Sequence, residues 1–220
     1  MSLDRPRLHL RSLTHGSKTY RILTLRTSDP ARFSVEAGHA TTMIRSDLGG
    51  THQLARLLWG LSYLRQPDTL LIIDHAHLTP NVDRSPSPPV VFYPHPRATI
   101  DASGLRALRR WLRRPSPSER TVTMRTAGYD LARAEIDAWQ AGPHRRANFP
   151  PKWRHSRREP PSRIETVNGM VVIAGSPTTM RTWSLLIGEL DGSWHLGEDC
   201  AEPDGDMRFD VHAVERLPRA

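Results

Sequence analysis

The stretch TLLIIDHAHLT, residues 69–79, decides the fold of this chain. Its apolar residues 70–73 follow Pro67 and Asp68 and stop abruptly at Asp74. A short apolar run without polar alternation is typical of a strand that is buried on both faces, and such a strand belongs in the middle of a sheet. We therefore expect residues 70–73 to form the central strand.

The polar residues after this strand are the first candidates for chemistry. Asp74, His75 and His77 come where α/β folds bind their ligands, at the carboxyl edge of the sheet. A carboxylate beside two imidazoles suits acid–base catalysis or a metal site with an open position. The structural alternative is that Asp74 caps a turn and the histidines bond to the backbone. The sequence leaves both interpretations open, and it leaves the metal and the cofactor unknown.

The strand with its Asp-x-Ala-His ending is similar to the Walker B segment of P-loop ATPases, which commonly reads Asp-Glu-Ala-His. Here His75 replaces the Glu that would polarise the attacking water. The nearest counterpart of a Walker A loop is residues 16–19, Gly-Ser-Lys-Thr, which lacks the upstream glycine. A strand-like run follows it at residues 20–25, where a P-loop must open a helix. The resemblance is confined to the short Walker B segment, so an active P-loop ATPase is not predicted.

Apolar spacing predicts the other elements. Residues 7–13 and 18–26 form a β-hairpin, and leucines at helical spacing predict a helix over residues 51–65. The pattern of residues 32–45 is compatible with a short strand or with an irregular loop. The remaining predictions are helices at 101–114 and 128–141 and strands at 90–93, 121–126, 170–174, 182–190 and 208–214.

These elements predict an α/β fold. We expect a three-layer mixed sheet, partly parallel, with antiparallel edge strands and the N-terminal β-hairpin. Residues 1–142 would form the α/β core, residues 143–163 a basic Pro-rich loop or linker, and residues 164–220 a β-rich part that completes the same domain.

Three further residues follow predicted strands. His95, Arg125 and Ser176 come after the strands that begin near residues 90, 121 and 170. If those strands run parallel to the central one, the three side chains gather with Asp74 at one edge, where they would help to bind a ligand.

Composition indicates the cellular compartment in which we expect the protein. The chain has no apolar run of membrane-spanning or signal-peptide length, and Cys200 is its only cysteine. We expect a cytoplasmic protein without a membrane segment. The net charge is +8, with 29 arginines against two lysines. Such arginine usage is typical of a GC-rich bacterial genome, so it is weak evidence for nucleic-acid binding.

The distribution of charge is more informative than its total. Residues 143–163 hold seven cations and one acid, whereas residues 198–210 hold six acids and one arginine. The basic segment suits single-stranded nucleic acid, with cations on phosphates and aromatic rings on bases. The residues predicted to make those contacts are Arg145, Arg146, Lys152, Trp153 and Arg154. The alternative is that the two segments pair with each other, within one chain or across a homodimer.

A second basic feature lies on the helix predicted at residues 101–114. Five arginines cover its polar face, at positions 106, 109, 110, 113 and 114. A solvated helix back is the simpler interpretation, and a phosphate-binding face is the alternative.

Two functions remain in competition. The first is a protein that binds or hydrolyses a small phosphate-bearing ligand at the carboxyl edge of its sheet, through Asp74, His75 and His77. The second is a non-enzymatic accessory protein that binds nucleic acid or another protein through residues 143–163.

Overall fold

A computed structural model describes residues 5–37, 41–81, 83–142, 150–153, 162–190, 199–204 and 207–211. These residues form a seven-stranded and a five-stranded sheet with four helices. The helices are α1 (Leu48–Tyr63), α2 (Ala102–Arg113), α3 (Tyr129–Ala141) and α4 (Pro177–Ile187). The strands are β1 (Arg7–His15), β2 (Lys18–Leu25), β3 (Phe33–Ala37), β4 (Thr42–Ser46), β5 (Thr69–Ile73), β6 (Leu78–Thr79), β7 (Val90–Pro94), β8 (Arg120–Thr123), β9 (Arg163–Val167), β10 (Met170–Gly175), β11 (Asp199–Asp204) and β12 (Met207–Val211).

The predicted central strand is confirmed. The larger sheet has the order β8-β1-β2-β5-β7-β10-β9, so β5 is the fourth of its seven strands. All five residues of β5 are buried. The N-terminal hairpin of β1 and β2 is confirmed as well.

Two hydrophobic cores cover the two faces of this sheet. Leu70 and Ile72 of β5 belong to a core that includes Leu108 of α2. Leu71 and Ile73 belong to the other core, which α1, α3 and α4 share. Each of these aliphatic side chains contributes about 1.5–3 kcal/mol by leaving water. Helices therefore lie on both faces, and the predicted three-layer mixed α/β fold is confirmed.

The strands of the larger sheet do not all run in the same direction as β5. β5 is parallel to β2, but it is antiparallel to β7, with Leu71 opposite Phe92. β10 is parallel to β7 and therefore also runs against β5. A parallel connection normally needs a crossover helix, and the segment between β5 and β7 contains no α-helix. The expectation that His95 and Ser176 share an edge with Asp74 is therefore wrong.

The smaller sheet settles the question about residues 32–45. They form β3 and β4, an antiparallel pair within the order β11-β12-β4-β3-β6. Phe33, Val35 and Ile44 point into the core that α1 shares.

Helix α4 replaces a strand that was predicted at residues 182–190. The side chain of Ser176 caps this helix and Pro177 occupies its first turn. Met180, Trp183 and Ile187 recur at helical spacing and are fully buried against α1. The Ser-Pro start is a helix signal that outweighs the β-forming residues of this segment.

The segment compared with a Walker A loop is a hairpin turn. Gly16 has a φ of +59° between β1 and β2, a conformation that favours glycine. The ammonium of Lys18 lies 2.8 Å from the carboxylate of Asp68. These residues build a turn and an ion pair, and they open no helix.

Across the described ranges, no helix combines the length and the apolar character needed to cross a bilayer.

Two glycines of α1 provide a test of the packing. A Cβ on Gly60 would lie 2.4 Å from Cγ of the buried Met124, whereas one on Gly49 would make an ordinary 3.6 Å contact with Asp47. Gly60→Ala should lower the free energy of unfolding by about 1–3 kcal/mol through overpacking. Gly49→Ala should leave it unchanged or raise it by up to about 1 kcal/mol. Urea denaturation of both variants checks this, and equal stabilities would contradict the contact between α1 and Met124.

Candidate functional site

Asp74 ends the central strand and begins a tight turn. Its Oδ1 accepts a hydrogen bond from the amide of Ala76 at 3.3 Å, which caps the 3₁₀ turn His75–His77. An Asx-type cap of this kind is a common way to leave a strand. His75 is exposed in this turn.

His77 is buried and locked between two partners. Its Nε2 lies 2.9 Å from the carbonyl oxygen of Arg26, so Nε2 carries a hydrogen and donates it. Its Nδ1 lies 3.3 Å from Oδ1 of Asp74. The ring thereby ties the turn after β5 to the end of β2. Among the described residues, no three His, Cys, Asp or Glu side chains converge as a metal-binding group, so the metal interpretation of this turn gains no support.

His95 and Ser176 lie at the opposite edge of the sheet. The amide of His95 donates to the carbonyl of Gly175 at 2.9 Å, which joins the ends of β7 and β10. The hydroxyl of Ser176 accepts from the amide of Thr179 at 3.0 Å and so caps α4. Both residues have structural contacts, and neither joins Asp74.

His9 of β1 is a residue near Asp74 that the sequence analysis missed. The pKa of His9 is lowered, chiefly by burial and then by the positive charges of Arg11 and Arg26. The negative charge of Asp74 opposes this effect. The neutral imidazole is therefore favoured near neutral pH.

The hydrogen bonds of His9 identify its tautomer. Nδ1 lies 3.0 Å from the hydroxyl oxygen of Ser118, and that hydroxyl donates its single hydrogen to the carbonyl of Arg120 at 3.1 Å. Nδ1 of His9 must then carry a hydrogen, which leaves the lone pair on Nε2. His9 also lies two residues from Arg7 on the same face of β1, about 7 Å along the strand.

Arg125 lines a cavity of about 880 Å³ at the end of β8. Two further arginines, Arg5 and Arg7, line it from the start of β1. The pairing of β1 with β8, which sets Arg7 opposite Thr123, brings these distant parts of the chain together. The other lining residues are Thr123, Met124, Thr126, Ala127, Gly128 and Asp130.

This cavity lies at the carboxyl edge of β5. β8 is antiparallel to β1, β1 is antiparallel to β2, and β2 is parallel to β5, so β8 and β5 run in the same direction. Arg125 is therefore the one predicted ligand-binding residue that shares this edge with Asp74.

The electrostatic character of the cavity is positive. Within the described ranges, the guanidinium groups of Arg5, Arg7 and Arg125 have no ion-pair partner. Asp130, the one carboxylate among the described lining residues, is held 2.6 Å from Arg56. An anion would therefore meet three unneutralised cations here.

The first turn of α3 also faces this cavity. Gly128, at the N-cap position, has a φ of +87°, and no side chain caps the helix. The amide groups at a helix N-terminus carry partial positive charge and attract anions.

The basic segment is described at residues 150–153 and 162–163. The indole of Trp153 donates to Glu135 at 3.3 Å and its ring lies 5.6 Å from that of Trp59. The ammonium of Lys152 lies 2.6 Å from the same Glu135. Both residues thus contact the fold. Arg145, Arg146 and Arg154 lie outside the described residues, so nucleic-acid binding and homodimer formation stay predictions.

Comparison with known proteins identifies no relative: no family model, curated protein or solved structure matches this chain.

The two histidines of the turn provide a matched test. His77→Ala removes a buried donor and leaves the carbonyl of Arg26 without its partner, which should lower the free energy of unfolding by about 1–3 kcal/mol. His75→Ala at the exposed neighbour should change it by less than about 0.5 kcal/mol. Equal effects in urea denaturation would contradict the structural role of His77.

The lowered pKa of His9 predicts a pH dependence of stability. Below its ordinary value of 6.5, the unfolded chain takes up a proton that the folded ring resists, so acidification destabilises the fold. His9→Asn keeps a donor towards Ser118 and removes this titration. The loss of unfolding free energy between pH 7.5 and 5.5 should be smaller in the variant than in the wild type. Equal losses would contradict a lowered pKa of His9 in the folded protein.

Proposed function

We propose that this protein binds a small phosphate-bearing ligand in the cavity lined by Arg5, Arg7 and Arg125. The observation that carries the proposal is the convergence of three unneutralised guanidinium groups on one cavity at the carboxyl edge of the sheet. We call it the β8 cavity.

Arginine is suited to this role. Its planar guanidinium donates two parallel hydrogen bonds to phosphate oxygens and stays charged at every physiological pH. Arg7 and Arg125 are attached to two paired strands, so their backbones are held at a defined separation. This preorganisation lowers the cost of ordering them around a ligand.

The size of the β8 cavity supports a ligand larger than a single ion. A volume of about 880 Å³ falls in the range of small-molecule sites, and its wall includes the backbone of Ala127 and Gly128. We infer that the arginines and the start of α3 take the phosphate group, and that the rest of the cavity takes the organic part.

Asp74 and His77 have a supporting role in this proposal. They hold the turn that ends β5 and connect it to β2, two strands away from β8. The proposed activity is binding, and the proposed location is the cytoplasm.

Matched ligands test the proposal. Isothermal titration calorimetry with ribose 5-phosphate and adenosine 5′-monophosphate should give saturable binding that weakens at high salt. Ribose and adenosine, which lack the phosphate, should give none. Binding of the phosphorylated and unphosphorylated compounds with equal affinity would contradict a phosphate site.

Matched variants locate the site. Arg125→Gln and Arg7→Gln should each weaken binding by about tenfold or more, because each removes charge-assisted hydrogen bonds. Arg120→Gln, at the other end of β8, removes the same charge and should leave the affinity unchanged. Asp130→Asn should strengthen binding, because it removes a carboxylate from the lining. Equal losses from Arg120→Gln and Arg125→Gln would show that only net charge matters.

A further inference from the structure

We propose a second anion site, specific for a terminal phosphate group, between α2 and the turn that joins β9 to β10. Its cavity measures about 390 Å³ and is lined by Arg106, Arg109, Arg110 and Asn168. It shares no lining residue with the β8 cavity, and β9 lies at the other end of the sheet from β8. We call it the α2 pocket, and it stands independently of the function proposed above.

A buried donor of Arg109 carries the argument. The Nη1 nitrogen of this side chain is shielded from solvent and has no hydrogen-bond partner within the described part of the chain. Leaving a charged group buried without an acceptor costs free energy, which a bound anion would recover. Arg109 is thus arranged for a ligand.

Two further arginines extend the site. Arg109 and Arg110 lie three and four positions after Arg106, the spacings that make side chains neighbours on a helix, and all three border the pocket. In the described ranges, no acidic side chain forms an ion pair with any of them. Three like charges repel each other in the empty pocket, and a dianion would offset that repulsion.

The hairpin turn supplies a preformed wall. Asn168 and Gly169 have φ values of +52° and +69°, as in the tight turns that Asn-Gly sequences favour. A Cβ on Gly169 would lie 3.6 Å from Nη2 of Arg109, so the turn packs directly against the guanidinium. The side chain of Asn168 adds an amide to the lining.

The chemistry of this lining favours a terminal phosphate over a phosphodiester. A terminal phosphate carries up to two charges and presents three free oxygens, which matches several guanidinium groups in one small pocket. A phosphodiester carries one charge and two free oxygens. The pocket is also less than half the volume of the β8 cavity.

Nuclear magnetic resonance separates the two sites. In a titration of the ¹⁵N-labelled protein with inorganic phosphate, the amide of Gly169 reports on the α2 pocket and that of Gly128 on the β8 cavity. The Gly169 signal should shift saturably. Arg109→Gln should weaken this response by about tenfold or more and leave the Gly128 response in place. Arg113→Gln, an equal charge change on an exposed arginine of the same helix, should leave both responses intact.

Two outcomes of that titration would overturn the proposal. One is a Gly169 signal that does not saturate, whatever the Gly128 signal does. The other is an equal response in the wild type and in Arg109→Gln. If the Gly169 signal of the wild type saturates and its Gly128 signal does not shift, only the proposed function of the β8 cavity is contradicted.

Dimethyl phosphate tests the terminal-phosphate assignment. It is a phosphodiester of similar size, and the Gly169 signal should report an affinity at least about tenfold lower than that of inorganic phosphate. Equal binding would overturn the assignment and indicate a site for a nucleic-acid backbone.

Stability in phosphate-free buffer gives an independent readout. Arg109→Met keeps the packing of the side-chain stem and removes the charged group whose Nη1 is shielded without a hydrogen-bond partner among the described residues. The variant should have a denaturation midpoint equal to or above that of the wild type, and phosphate should raise its midpoint less than it raises that of the wild type, because the α2 pocket no longer contributes. A lowered midpoint together with an unchanged phosphate effect would overturn the proposal.

Discussion

The burial of β5 on both faces is the constraint on which the rest of this structure depends. Leu70 and Ile72 face one core, and Leu71 and Ile73 face the other, so any shift of register by one residue exchanges the two sets. Helices must therefore cover both faces of the sheet. The strand must also end where its polar residues begin, at Asp74, because no polar group could follow it into either core.

The path of the chain after β5 places the candidate site residues at two opposite edges of the sheet. Asp74 caps a turn, His77 ties that turn to Arg26, and the chain returns antiparallel in β7. His95 and Ser176 are consequently carried to the opposite edge. The residues that share the edge with Asp74 are contributed by β1 and β8, and their chemistry is dominated by arginine.

Local patterns predicted the elements well where burial and periodicity agreed. The apolar run of β5 and the leucine spacing of α1 each admitted one interpretation, and the structure confirms both. Residues 182–190 were mistaken for a strand because their β-forming side chains outweighed the Ser-Pro helix start. Local patterns could not predict the direction of β7, because that direction depends on the path of the segment between β5 and β7.

The candidate site was predictable only in part for the same reason. Arg125 was identified because it follows a predicted strand. Arg5 and Arg7 were missed because only the pairing of β1 with β8 brings them to Arg125 across more than one hundred residues of sequence. Likewise, the sequence favours a solvated helix back for the arginines of α2. Only the structure shows that the β9–β10 turn packs against Arg109. In both places the informative feature is the lack of a counter-charge among the described residues, which sequence spacing does not reveal.

Anions are proposed to bind at the arginine-lined end of this sheet edge and not at the Asp74–His77 turn. An anomalous difference map from crystals soaked in tungstate, a heavy analogue of phosphate, distinguishes the two places. A peak bounded by the guanidinium groups of Arg7 and Arg125 is expected. A map with no peak there, or with its strongest peak beside Asp74 and His77, would contradict the proposal.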